Sequence, residues 1–171
     1  MSVDIRLYVL ELAPYLQLWE RSLQGDDEAE EEWTDFVEEL EDRCDHYDSY
    51  KPVTELVDQF ELKRARLEGS PEERFFRTVF WQELREPRPG LRPESDEIAG
   101  YAVLILDTPH LAELADVIRS VDVERLAVVL FEPSFDYAEN AEDVASYLAQ
   151  FTKAMRLALD SGLGFVWEVI G

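Results

Sequence analysis

The stretch that decides the fold is residues 140–170, NAEDVASYLAQFTKAMRLALDSGLGFVWEVI. Val144, Tyr147, Leu148, Phe151, Met155 and Leu159 recur every three or four residues, the stripe of a long amphipathic helix that begins after Asn140. Ser161-Gly162 stops it, because glycine adopts the left-handed conformation of a helix end at little steric cost. The period then drops to two: Phe165, Trp167 and Val169 share one side of a closing strand over 163–170. The chain opens in the same way. Val3, Ile5, Leu7 and Val9 alternate with Asp4, Arg6 and Tyr8, which predicts a strand with one covered face. Strands at both ends with helices between them predict an α+β domain, several amphipathic helices on a small sheet whose first and last strands pair.

The segments between fit that plan. Pro14 lies early in a helix with Tyr15, Leu16, Leu18, Trp19 and Leu23 on its apolar side, and Gly25 ends it. A helix from Pro52 carries Val53, Leu56, Val57, Phe60 and Leu67 and closes at Gly69. Ser70-Pro71-Glu72-Glu73 reads as a capping box: Ser70 accepts from free amides, Pro71 suits the first helical position, and Glu73 reaches back. The helix it starts presents Phe75, Phe76, Val79, Phe80 and Leu84. Residues 85–97, REPRPGLRPESDE, hold three prolines and a glycine and read as an irregular loop within a single domain spanning 1–171. GYAVLIL at 100–106 is a covered strand, and Thr108-Pro109 starts a helix with Leu111, Leu114, Ala115 and Ile118 inward. DVERLAVVLF at 122–131 is valine-rich like a strand, yet its spacing is helical, and helix is the expectation adopted.

Composition bounds the function. At 46% hydrophobic and 12% aromatic residues, the 171-residue chain can bury a real core. Thirty-nine acids against sixteen Lys and Arg leave a net charge of −23, a field that repels phosphate and anionic lipid. Direct nucleic-acid and membrane-surface binding are therefore not expected, whereas a basic partner or a cation would be attracted. A signal peptide is not evident, and apolar runs fall short of the ~20 residues that span a bilayer. The lone Cys44 makes no internal disulfide and no cysteine-rich zinc site. These features fit a cytoplasmic protein.

The charge is concentrated at 25–48, GDDEAEEEWTDFVEELEDRCDHYD, with thirteen carboxylates and one arginine. Trp33, Phe36, Val37, Leu40, Cys44 and Tyr47 stand at offsets 0, 3, 4, 7, 11 and 14, which predicts a folded helix through 47. Residues 26–32 lack the stripe and read as a loose lead-in. Glu31, Asp35, Glu38, Asp42 and Asp45 then form rows roughly 5–6 Å apart along the solvated face, close to the spacing of phosphates on a nucleic-acid strand. Segment 63–92 holds eight of the sixteen cations against five acids, a plausible internal counterweight.

Motifs with chemistry are sparse. Asp42 and His46 are four apart and are weak metal candidates on one helix face, with Asp45 or Glu39 near by. A metal needs a third or fourth convergent ligand and the chain has two histidines, so no metal site or cofactor is expected. Cys44 belongs to the apolar stripe. His110, in a first helical turn where the dipole is expected to disfavour a positive charge, would need Asp107 or Glu132 beside it to act. Glu132 and Asp136 flank a turn with Phe135 and Tyr137 and could form an acid/base pair lining a cleft. The plain alternative for each is a solvated or core-covering residue. Phosphate-cradling and nucleophile-elbow motifs are absent.

DTPHLAELADVI at 107–118 and YLAQFTKAMRLALDSGLGFVWEVIG at 147–171 resemble the YfbM-like proteins, small uncharacterised bacterial proteins, and the opening SVDIRLYVLE is compatible with them. The resemblance covers roughly residues 101–171 and the first ten, and implies an α+β fold without assigning catalytic residues. Two functional expectations follow. The first is an acidic interaction or regulatory protein, immunity-like or nucleic-acid-mimicking, that binds a basic partner through the acidic helix. The second is a small enzyme or ligand-binding protein with a cleft near His110 and Glu132.

Overall fold

The computed structural model describes residues 4–41, 45–47, 51–81 and 100–170. In chain order they form β1 (Asp4–Leu10), α1 (Leu12–Leu23), α2 (Asp27–Glu41), β2 (Asp45–Tyr47), α3 (Lys51–Lys63) with a 3-10 turn at Arg64–Leu67, and α4 (Pro71–Phe76) continued by a π turn at Arg77–Trp81. Then come β3 (Gly100–Leu106), α5 (Thr108–Glu113), α6 (Ala115–Ser120), α7 (Val123–Leu130), α8 (Ala141–Ser161) and β4 (Gly164–Ile170). The architecture is α+β.

The first and last strands pair along their whole length. β1 and β4 run antiparallel from Asp4↔Ile170 to Leu10↔Gly164, and β3 lies antiparallel on the other side of β4 with a bulge between Ala102 and Leu104. Sheet order is β2-β1-β4-β3. The strand β2 corrects the helix expected through residue 47. Ile5↔Tyr47, Arg6↔His46 and Leu7↔Asp45 pair instead, so long-range bonding to β1's second edge overrides helical spacing there. Asp45 and His46 therefore do not lie on α2.

Both faces of the sheet are covered. Ile5, Leu7, Val9, Leu104, Leu106, Phe165 and Trp167 face the main core, built with α3 to α8. Phe80 sits at its centre, with ring centroids 4.9 Å from Phe76, 4.8 Å from Phe151 and 6.0 Å from Trp167. The Trp167 indole N–H donates to the Val79 carbonyl at 3.0 Å, which satisfies a backbone acceptor in the π turn. On the opposite face Tyr8, Leu10, Ile105 and Val166 form a second, smaller cluster with Tyr15 and Trp19 of α1. The expectation that β1 has one covered face is corrected by this layer: Tyr8, on the face expected to be solvated, is 1% exposed.

Local chemistry sets the helix ends. Asn140 accepts from the amides of Glu142 and Asp143 at 2.9 and 3.1 Å, while the Asp143 carboxylate accepts from the Asn140 amide, a complete capping box. Ser70 accepts from the Glu73 amide at 3.2 Å as expected, but Glu73 reaches one residue further back, to the Gly69 amide at 2.8 Å. Gly25, Gly69 and Gly162 all take positive φ at helix ends. The helix starts at Thr108 as expected, capped by Asp107, and breaks at Leu114 into α5 and α6. Residues 123–130 are helical, capped by Asp122 with Leu126, Ala127, Val129 and Leu130 buried. The 85–97 loop and Leu84 lie outside the described residues.

Candidate functional site

The acidic helix begins earlier than its apolar stripe. Asp26 accepts from the Glu28 amide at 3.1 Å through its carboxylate and from the Ala29 amide through its carbonyl, so the helix starts at Asp27. Residues 26–32 are thus ordered, which corrects the loose lead-in expected there. Ala29 is fully buried and Phe36 packs on the smaller core, giving α2 an inner side along α1. At 100° per residue Asp27, Glu28, Glu31, Glu32, Asp35 and Glu39 share one side of the helix, and all six are exposed. From residue 27 to residue 39 this face runs about 18 Å at the α-helical rise.

One arginine answers one end of that face. Arg21 on α1 donates from Nε to Asp26 at 2.8 Å and from Nη1 and Nη2 to Glu32 at 2.8 and 3.2 Å. Its guanidinium holds the Asp26 carboxyl below the usual carboxylate range. Of the cations of 63–92, Lys63 pairs with Glu132 at 2.5 Å and Arg77 with Glu73 at 3.6 Å, neither acid being on α2. Of the five acids expected to make the partner face, Glu31 and Asp35 are exposed on α2, Glu38 is on α2, Asp45 is on β2, and Asp42 lies outside the described residues.

The catalytic candidates each have their own surroundings. His110 is exposed at the start of α5, where Asp107 caps its amide at 2.9 Å and the same carboxylate oxygen bonds the imidazole Nδ1. Asp107, one of the two partners expected for His110, is the one it has. Glu132 is tied to Lys63, whose ammonium also donates to the Phe131 carbonyl at 3.4 Å, pinning α3 to the turn after α7. Asp136 is exposed on that turn. An open groove among the described residues is lined by Glu68, Ser70, Glu73, Arg74, Arg77 and Val117, and includes none of the three. His46 stands opposite Arg6 in the sheet, so the four-residue helical spacing that made Asp42 and His46 a weak metal pair does not apply. Among the described residues no three His, Cys, Asp or Glu side chains group as metal ligands, and no helix is long and apolar enough to cross a membrane.

Sequence reasoning missed the most unusual ionisable group. Glu168, on β4 at the centre of the sheet, is 5% exposed and faces the α1 layer. The Tyr8 hydroxyl donates to its Oε1 at 2.6 Å and the Tyr15 hydroxyl to its Oε2 at 3.3 Å, while Arg6 stands opposite it in the register and donates to the Tyr8 oxygen at 3.5 Å. Burial pushes the Glu168 carboxyl up, and the Tyr8 bond, the Arg6 charge and the Tyr15 bond offset part of that. Both tyrosines are raised, by burial first and the facing carboxylate second. The available signal was a single acid inside GFVWEVI, opposite an arginine once the terminal strands pair. A second buried acid, Glu72 on α4, accepts from Arg125 of α7 at 3.0 Å and joins those helices.

Comparison with protein-family models, with curated proteins and with solved structures finds no match, so the likeness to YfbM-like proteins rests on its own residues alone.

Proposed function

We propose that this chain is an acidic interaction protein whose α2 face docks a basic partner protein. The observation that carries the reading is the exposed side of α2, six carboxylates over about 18 Å, with Arg21 bonding only Glu32 among them. Phosphates on a nucleic-acid strand present a similar linear array of negative charge. A groove that evolved to hold nucleic acid is therefore the kind of surface this face complements, as in an immunity-like or mimic inhibitor. The field of a chain at −23 would speed such an encounter at low salt, and screening would slow it. A cytoplasmic, bacterial setting belongs to the same reading.

The test is capture of a basic protein from the host, followed by binding measured with purified components over a salt series. Glu31→Lys, Asp35→Lys and Glu39→Lys together should weaken binding roughly tenfold or more, since each exposed charge pair carries a few tenths to one kcal/mol. Reversing three exposed acids elsewhere, Glu113, Asp116 and Glu142, should change it far less. If the α2 reversal leaves every captured partner bound, the reading fails.

A further inference from the structure

The smaller core divides the molecule unequally. No described residue of α1 or α2 belongs to the main core; the strands and α3 to α8 complete it without them. Among the described side chains, Tyr15 and Trp19 of the α1–α2 layer pack against Tyr8, Leu10, Ile105 and Val166, with Leu12 and Phe36 at the margin. Its principal helical contact is internal, α2 on α1. Against this seam stands Glu168, a buried carboxylate to which Tyr15 of the layer contributes its hydroxyl.

We propose that the Tyr8–Glu168–Tyr15 cluster is a proton-sensitive latch: the α1–α2 layer opens from the sheet as a unit while the rest of the domain stays folded, and the charge on Glu168 sets how often it opens. A layer whose described side chains lie outside the main core, with its own continuous backbone bonding, is the kind that opens sub-globally. Opening returns Glu168 to water. Facing it when closed are Arg6 and Tyr8 from β1 and Tyr15 from α1, with uncharged Ala102 opposite on β3 and His46 one strand beyond Arg6 in the register. Burial outweighs those partners and raises the closed-state pKa, so the closed form holds the proton more tightly than the open form. Opening therefore increases as pH rises through the window between the two values, by at most about tenfold per pH unit for one proton. The inference concerns the layer that carries the acidic face, but it requires no partner.

Amide hydrogen exchange of the full chain from about pH 5 to about pH 8, divided by intrinsic rates, tests it. Segment 12–41 should open more as pH rises while α8 amides hold. Glu168→Gln should flatten that rise, and Tyr15→Phe should increase opening of 12–41 at every pH without moving α8. Exchange of 12–41 only in step with α8, or a rise that persists in Glu168→Gln, overturns the proposal. A flat profile in the unmodified protein overturns it even if both variants fail to fold.

Discussion

Replacing Tyr8 with Phe removes one oxygen from the interior, one that donates to Glu168 and accepts from Arg6 at 3.5 Å, and its cost follows chiefly from the shorter bond. The Tyr8 hydroxyl lies 2.6 Å from a Glu168 carboxylate that is 5% exposed. A buried hydrogen bond to a charged group contributes about 1.5–3 kcal/mol, and for a domain of this size each kcal/mol moves Tm by about 2–4 °C, so Tm should fall by about 3–12 °C. When Glu168 is protonated the same bond is neutral, worth about 0.5–1.5 kcal/mol. The penalty must therefore grow with pH. Glu168 is raised in the folded state, so folding binds its proton more tightly than the unfolded chain does. Its contribution is most favourable below the ordinary glutamate value and declines as pH rises toward the folded value. Tyr8→Phe deletes a lowering influence, which carries that decline to higher pH. Urea titrations of the protein and of Tyr8→Phe over a pH series, each subtracted at the same pH, cancel the background of the other acids. Repeating them in Glu168→Gln, where the partner is never charged, should reduce the penalty to the neutral-bond range. A penalty that is independent of pH, or equal in the two backgrounds to within about 0.5 kcal/mol, refutes an ionised carboxylate held by Tyr8.

Three further substitutions probe packing and capping in other parts of the fold. A Cβ on Gly164 would stand 2.4 Å from Leu12 Cγ, so Gly164→Ala should cost about 1–3 kcal/mol by thermal unfolding, and Leu12→Ala should recover part of it. Phe80→Ala empties the position between Phe76, Phe151 and Trp167 and should cost about 3–5 kcal/mol, with loss of near-ultraviolet aromatic dichroism. Asn140→Ala removes the capping box of α8 and should cost about 0.5–2 kcal/mol in denaturant unfolding, while Asn140→Asp should keep most of the stability.

What the sequence revealed was local chemistry. Gly25, Gly69 and Gly162 were legible as helix ends because positive φ is a property of the single residue, and Ser70 and Asn140 because a cap needs only its own next three amides. The long stripe of α8 was legible because twenty-one residues of consistent period leave little room for another conformation. Where distant pairing competes with local spacing, the reading failed. Tyr47 continues the helical offsets from Trp33, yet it pairs with Ile5, a partner forty-two positions away that no window around it contains.

The Glu168 cluster is the sharper case, because its residues obey the pattern that hides them. Arg6, Tyr8 and Glu168 occupy alternate positions of terminal strands whose other positions are apolar, and a strand with one polar side ordinarily faces water there. What reverses the reading is α1, whose Tyr15 and Trp19 stand four apart and cover that side. Tyr15 and Trp19 alone do not reveal which sheet face they will meet. The opposite holds for the acidic helix. Its exposed carboxylates were evident from composition, and the structure adds how they are oriented: Ala29 and Phe36 inward, six acids outward, Arg21 at one end. Composition thus located the charge, whereas the stacking of one helical layer on a second sheet face determined which acids remained wet and which one was buried.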